Sequence, residues 1–324
     1  MTSRDATILV LGNFNDYAVA RLEREFSVRR IPEGDTALLD PAWAGQVRGV
    51  ASMSTVDAAL IDALPALEIV GNFGVGYDAV DAKHAAAKNI MVTNTPDVLT
   101  DEVADVAIGL LIDTVRELSR AEAYLRQGRW AAEGAYPQSK LSLRGRKVGI
   151  FGLGRIGKAV ARRIEGFGLP IAYHNRRKAD DVAYDYYPSL VELASAVDTL
   201  ILVAPGGAET ANAVNAEVLK ALGPDGVLIN IGRGSLVAEA ALAEALEQGV
   251  IAAAGLDVFA DEPNVPRRLL DAPNTVFLPH IASASQKTRR AMADLVVDNL
   301  IAWFEKGEAL TPVPEAAGVK AVRQ

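Results

Sequence analysis

Residues 148–157 read Val-Gly-Ile-Phe-Gly-Leu-Gly-Arg-Ile-Gly, an apolar strand running straight into a G-x-G-x-x-G turn near the middle of the chain. Gly152 suits a tight turn, Gly154 a close backbone approach to a pyrophosphate, and Gly157 close packing of helix on strand. The residues that follow have helical spacing, so the first N–H groups of that helix, at Arg155 and Ile156, would face phosphate oxygens. The motif alone is weak, but the strand before it and the helix after it are both present. Its position constrains the rest of the fold. About 150 residues come first and must build something other than the nucleotide unit.

At 324 residues the chain is long enough for two domains with substantial cores. Half of its residues are hydrophobic and no charge block or low-complexity tract appears, which excludes a disordered chain. A net charge of −8 argues against general nucleic-acid binding, which needs a basic face. The chain has no cysteine, so disulfides, thiolate metal sites and cysteine nucleophiles are excluded, and a reducing cytoplasm is the expected setting. No signal peptide is visible ahead of the first strand, and no run reaches the ~18 apolar residues of a membrane span. No metal site is expected.

Short β-rich runs alternate with helical patterns over the first hundred residues. Strands are expected at 7–11, 49–52, 68–71 and 90–93, with helices at 17–25, 55–64 and 79–88 between them. This alternation implies a parallel sheet with helices on its faces. Thr100 is expected to cap a long helix beginning with Asp101 and Glu102, acids that suit the positive end of the dipole. Val103, Val106, Ala107, Leu110, Leu111, Val115 and Leu118 form its apolar stripe, and the helix should end near 127–128. A single helix of that length between two sheets implies a domain bridge or a dimer surface.

A second alternation starts at Lys147, with strands at 148–151, 171–173, 199–203, 226–231, 251–256 and 275–278. Helices are expected between them, and a last amphipathic helix at 286–305. Ligands of such sheets bind outside the carboxyl ends of the strands. There the chain carries Arg233 after one strand, Asp257, Asp261 and Glu262 after the next, and His280 after the last. Parallel strands would bring Arg233, Glu262 and His280 onto one rim.

The trio suits reduction of a 2-oxo acid. Hydride arrives at the carbonyl carbon, so a proton donor must stand at the carbonyl oxygen, and at neutral pH a histidine serves best. An arginine can hold the carboxylate by a forked pair of hydrogen bonds and polarise the carbonyl. A carboxylate on the far ring nitrogen would orient the imidazole and favour its charged form. Of the three histidines, His84 lies in an alanine-rich helical stretch and His174 at the adenosine end, which leaves His280. The plainer alternative is a surface ion pair of Arg233 with Glu262 and a loop histidine.

The second strand of this alternation ends in Asn175-Arg176-Arg177-Lys178, where an NAD enzyme places an acid for the ribose 2′-hydroxyl. An asparagine and arginines would instead hold a 2′-phosphate, so NADPH is the expected cofactor, with NADH possible. The alternative is a solvated basic turn, since Asp180 and Asp181 follow at once.

The chain resembles the D-isomer-specific 2-hydroxyacid dehydrogenases over essentially its whole length. The resemblance is carried by Gly71-Asn-Phe-Gly-Val-Gly-Tyr-Asp78, the glycine motif, Asn230-Ile-Gly-Arg-Gly-Ser-Leu-Val237, Gly255-Leu-Asp-Val-Phe through Asp261-Glu-Pro263, and Pro279-His280. It implies that Arg233 binds the substrate carboxylate and carbonyl, that His280 is the acid/base, and that Glu262 is its partner. Asp257 and Ser283 would lie near the nicotinamide carboxamide. Ala282 departs from the family, where a glycine is common. The glycine loop at 72–78 reads either as a plain turn or as a nest whose Val75 and Gly76 N–H groups face an anion; the resemblance selects the nest. The basic turn and the loop opening with Ala204 and Pro205 resemble the glyoxylate/hydroxypyruvate reductases within the family.

These readings give an α/β protein of two doubly wound parallel-sheet domains. A Rossmann nucleotide domain, 100–285, is inserted into a flavodoxin-like substrate domain, 1–99 and 286–324. The active site is expected in the cleft between them, with closure about hinges near 95–99 and 283–286. By resemblance the chain is a homodimer, with Trp130 either at the interface or reaching the partner's cleft. The expected reaction is NADPH-dependent reduction of glyoxylate or hydroxypyruvate to the D-2-hydroxy acid. Alternatives are phosphite oxidation, larger 2-oxo acids such as 2-ketogluconate or aryl pyruvates, and a dinucleotide-sensing corepressor-like protein.

Overall fold

A computed structural model describes residues 6–321; residues 1–5 and 322–324, part of the expected substrate domain, lie outside the described residues. The described chain divides into two compact units, with boundaries between Leu99 and Thr100 and between Ala284 and Ser285.

The first unit holds a five-stranded parallel sheet of β1 (Thr7–Leu11), β2 (Ser27–Ile31), β3 (Val47–Ser52), β4 (Ile69–Asn72) and β5 (Met91–Thr93), in the order β2-β1-β3-β4-β5. Ile8, Leu9, Val10, Val50, Ile69 and Val70 are fully buried, as central strands covered on both faces must be. The Gln286–Lys306 helix packs on this sheet and on the Asp16–Glu25 helix. Ser285 caps it through its Oγ, which accepts the Thr288 N–H at 3.2 Å, and Gly307 stops it at φ +75°.

The second unit is a seven-stranded parallel sheet of β6 (Val148–Phe151), β7 (Ile171–His174), β8 (Asp185–Tyr186), β9 (Thr199–Leu202), β10 (Val227–Asn230), β11 (Ala253–Leu256) and β12 (Thr275–Phe277), in the order β12-β11-β10-β9-β6-β7-β8. The strand order reverses at β6, flanked by β7 and β9, so the crevice outside its carboxyl end is the ligand position of a doubly wound sheet. At the opposite end of the sheet Arg146, 6 % exposed, donates to the carbonyls of Asp198 and Asp225 at 2.5 and 2.6 Å and to Thr199 Oγ1 at 2.6 Å.

Several expectations are corrected. The helix expected to run unbroken to 127–128 is two, Thr100–Arg116 and Leu118–Arg126, separated by Glu117 at φ +58°. The Asp113 carboxylate accepts both the N–H (2.8 Å) and the hydroxyl of Ser119, capping a fresh helix and ending the first. The apolar stripe stays buried through Val115, but Leu118 is 51 % exposed. Thr100 does not cap: it lies within the helix, and its hydroxyl is buried without a partner. Helices expected at 55–64 and 79–88 shorten to Ala58–Asp62 and Ala82–Ala87, because Asp57 and Asp81 cap them from within those spans. β2 and β8 were not expected.

Candidate active site

The glycine turn follows β6 as expected. Gly152 has φ +98°, and a Cβ there would stand 2.5 Å from the Ala204 nitrogen; at Gly157 it would stand 2.3 Å from the Gly152 carbonyl. A Cβ on Gly154 would meet nothing within 4 Å. Packing of the protein therefore requires the first and third glycines, and the second is spared for something outside the chain. Gly154 is also the N-cap of the Arg155–Glu165 helix and offers no side chain to its N–H groups. That is the donor set a pyrophosphate needs, from Arg155, Ile156 and Gly157 at the positive end of an eleven-residue helix.

Asn175 sits one residue past β7, and its Oδ1 accepts the Leu153 N–H at 2.7 Å, pinning the glycine turn to the neighbouring strand. Arg176 and Arg177 are exposed beside it. Arg176 Nη1 lies 3.2 Å from Glu209 Oε2, on the loop that starts with Ala204 and Pro205. Asp181, the acid that would oppose a 2′-phosphate, pairs with Lys158, which holds its carboxyl below the usual range. His174 Nδ1 bonds the Tyr187 carbonyl, and His84 pairs with Asp62, so neither offers a site.

The carboxyl ends of β10 and β11 and the turn after β12 bring the expected trio together. His280 Nδ1 stands 2.7 Å from Glu262 Oε2, and Glu262 Oε1 accepts the Phe259 N–H at 3.0 Å. Burial would push the Glu262 carboxyl upward, but the hydrogen bonds from His280 and Phe259 and the charges of His280 and Arg233 outweigh it and hold it below its usual range. Arg233 follows β10 on a loop fixed by Asn230, whose Nδ2 donates to the Arg233 carbonyl at 2.8 Å and whose Oδ1 accepts the Gly232 N–H at 3.0 Å. With Nδ1 engaged by the carboxylate, Nε2 is the ring nitrogen left for proton exchange.

His280 has φ +53°, a left-handed conformation that costs a non-glycine residue about 1–2 kcal/mol. Asp257 holds it there. The Asp257 carbonyl accepts the His280 N–H at 2.8 Å, and its carboxylate, fully buried, accepts the N–H groups of Ile281 (2.7 Å) and Ala282 (2.9 Å). Its carboxyl is nevertheless raised, because burial outweighs those hydrogen bonds. Sequence reasoning assigned Asp257 to the cofactor and gave no sign of this backbone role. Ser283, directly after Ala282, is half-buried on the same loop.

In the first unit, the loop after β4 places Val75 and Gly76 at the carboxyl edge of the five-stranded sheet. Neither Gly74 nor Gly76 has positive φ, so the loop is not shaped by left-handed glycines. Hydrogen bonds from Asn72, which opens the loop, and from Asn94, which the sequence does not single out, shape it instead.

Comparison with known proteins places the chain. The model of the "D-isomer specific 2-hydroxyacid dehydrogenase, NAD binding domain" matches residues 108–282. The crystal structure of an NADPH-dependent glyoxylate/hydroxypyruvate reductase from Sinorhizobium meliloti, in complex with NADP and malonate, matches with a TM-score of 0.95 and 58 % identity over 99 % of both chains. The hydroxyphenylpyruvate reductase of Plectranthus scutellarioides is 50 % identical over 83 % of this chain and 86 % of its own. A glyoxylate/hydroxypyruvate reductase of Arabidopsis thaliana is 44 % identical over 94 % and 98 %. The chain belongs to the D-isomer specific 2-hydroxyacid dehydrogenase family.

Proposed function

We propose that this protein reduces glyoxylate and hydroxypyruvate to their 2-hydroxy acids with NADPH, the residues expected from sequence serving as its site. The observation that carries the reading is the 2.7 Å contact of His280 Nδ1 with Glu262, which leaves Nε2 to act on substrate. The Sinorhizobium meliloti and Arabidopsis thaliana relatives bear the same activity in their names.

In this mechanism Arg233 holds the substrate carboxylate and polarises the carbonyl. The N–H groups of Val75 and Gly76 offer backbone donors to a carboxylate. The nicotinamide, when bound, supplies the hydride to the carbonyl carbon. His280 gives its Nε2 proton to the oxygen, and Glu262 stays ionised to stabilise the ring while it is charged. The products are the 2-hydroxy acid and the oxidised cofactor. Gly154, with the N–H groups of Arg155, Ile156 and Gly157, would hold the pyrophosphate, on the turn that Gly152 makes. Asn175, Arg176 and Arg177 would hold the 2′-phosphate, Ala204, Pro205 and Ser283 would line the remaining length of the cofactor, and Asp257 holds the His280 loop beside it.

The chain acts as a homodimer in this reading. Leu118 and Leu125 on the Leu118–Arg126 helix and Trp130 on the Arg129–Glu133 helix are 51, 55 and 62 % exposed, and Leu125, Gly128, Trp130 and Ala131 line an open cavity of about 360 Å³. Apolar exposure of this kind fits a second copy. The cytoplasm suits a chain without cysteine, and among the described residues no helix is long and apolar enough to cross a membrane.

The test is the initial rate with glyoxylate, hydroxypyruvate, hydroxyphenylpyruvate and phosphite, each with the appropriate NADP or NAD couple. Fast NADPH oxidation with either small acid supports the reading. Arg176→Ala combined with Arg177→Ala should then raise KM for NADPH far more than for NADH. Equal losses, or a preference for hydroxyphenylpyruvate, would overturn the cofactor or the substrate assignment respectively.

A further inference from the structure

The loop after β4 is held from behind by two side chains and a backbone N–H, from the ends of β4 and β5 in the first unit. Asn72 Nδ2 donates to the carbonyls of Gly74 (3.2 Å) and Gly76 (3.0 Å). Asn94 Nδ2 donates to the Val75 carbonyl at 2.8 Å, and the Thr95 N–H to the Gly74 carbonyl at 2.9 Å. Three successive carbonyls are thus drawn toward the ends of β4 and β5. In a trans peptide the C=O and the following N–H point in opposite directions. The N–H groups of Val75, Gly76 and Tyr77 are therefore turned the other way, and none of them donates to another described group.

Asn94 is itself fixed by the C-terminal strap. Thr311 Oγ1 donates to the Asn94 carbonyl at 2.6 Å, and the Asn94 N–H donates to the Thr311 carbonyl at 3.3 Å. Thr311 Oγ1 in turn accepts from Asn299 Nδ2 at 2.9 Å, while Asn299 Oδ1 accepts the N–H groups of Leu310 (2.9 Å) and Thr311 (3.0 Å). Asn299 is fully buried in the Gln286–Lys306 helix. Asn94 and Thr311 are half-buried, so a broken link at the fully buried Asn299 leaves an unsatisfied partner rather than a neutral gap.

We propose that Asn299, Thr311 and Asn94 form a positioning ladder that, with Asn72, orients the peptide planes of the Val75–Tyr77 loop toward the substrate carboxylate. The proposal rests on the reading that this loop binds that carboxylate. It adds the Tyr77 N–H as a third donor and makes the C-terminal strap a determinant of affinity for the acid, not of hydride transfer. Tyr77 ties the same loop to the strap a second time, its hydroxyl donating to Glu315 at 3.0 Å.

The experiment measures KM for glyoxylate, Ki for malonate, kcat and KM for NADPH, with thermal melting alongside. Asn94→Asp keeps the shape, removes the donor and sets a carboxylate against the Val75 carbonyl. It should raise KM for glyoxylate and Ki for malonate about tenfold, with kcat and KM for NADPH within about twofold. Thr311→Val should move the same two constants about threefold, and Thr311→Ser, which restores the hydroxyl, should return them to wild type. Equal loss in kcat and in both KM values, or no recovery in Thr311→Ser, would make the ladder merely structural and overturn the proposal. Gly76→Pro removes one loop N–H directly. If it raises KM for glyoxylate while Asn94→Asp does not, the ladder falls and the anion loop stands. If neither variant moves KM or Ki, the anion-loop reading falls with it.

Discussion

Glu262 and His280 share one hydrogen bond of 2.7 Å, and the second oxygen of Glu262 is held by the Phe259 N–H, so the carboxylate cannot rotate without losing a backbone partner. Its direction fixes which ring nitrogen of His280 stays free of the carboxylate. Because Glu262 ionises below its usual range, its contribution to stability is fully present above the ordinary value of 4.5 and is lost as pH falls through the lower folded value. The carboxylate is accordingly charged throughout the working range. Glu262→Gln can still accept the Phe259 N–H, but it no longer stabilises a charged imidazole. We expect kcat/KM for glyoxylate to fall about 10²-fold at neutral pH, with an altered pH profile and an unchanged Kd for NADPH. A full pH–rate profile beside a fluorescence titration of NADPH checks this, and wild-type turnover in the variant would remove Glu262 from the mechanism.

Asp257 and the histidine loop give a second prediction. Asp257→Asn must turn an NH2 group toward one of the Ile281 and Ala282 N–H donors, leaving a buried clash of donors where there were two bonds. The cost is about 1–3 kcal/mol of stability, and the left-handed His280 loses its support. We expect a lower melting temperature and a reduced kcat with NADPH affinity largely kept. A selective loss of NADPH affinity would instead favour the carboxamide contact first expected of this residue.

Some of this was legible because its physics is local. β6, β9 and β10 are short, mostly apolar and buried along their whole length, and the catalytic candidates lie in the turns after β10, β11 and β12. β2, Ser-Val-Arg-Arg-Ile, was not legible, since it is an edge strand whose arginines face solvent and break the apolar pattern. The break at Glu117 depends on Asp113 reaching Ser119, a six-residue contact that leaves the helical periodicity intact. The grips of Asp257 and Asn94 on distant backbone were invisible for a different reason. A backbone acceptor or donor has no residue type to announce it.

The three glycines of the nucleotide turn should separate by experiment. Gly157→Ala forces a Cβ to within 2.3 Å of the Gly152 carbonyl, and Gly152→Ala meets the Ala204 nitrogen at 2.5 Å in a backbone conformation that disfavours alanine. Both should lower the melting temperature of the apoprotein. Gly154→Ala meets no protein atom and should melt like wild type while binding NADPH more weakly. A destabilised Gly154→Ala, or unchanged NADPH affinity, would contradict the division between glycines the fold needs and the glycine the cofactor needs.

Arg176 and Glu209 give the last prediction. Their side chains are 83 and 76 % exposed, so the 3.2 Å pair is weak, but it sets a carboxylate on the guanidinium assigned to the 2′-phosphate. An incoming 2′-phosphate must displace Glu209, whereas NADH carries no such charge. Glu209→Gln should lower KM for NADPH by a few-fold and leave KM for NADH unchanged. The gain should shrink as salt rises, because exposed charges are screened within about 10 Å at 0.1 M ionic strength. KM values for both cofactors in 20 and 300 mM salt (roughly spanning that screening range) decide it. An equal change for NADH would mean that Glu209 acts on the adenosine as a whole, and no change for either cofactor would place the 2′-phosphate away from Arg176.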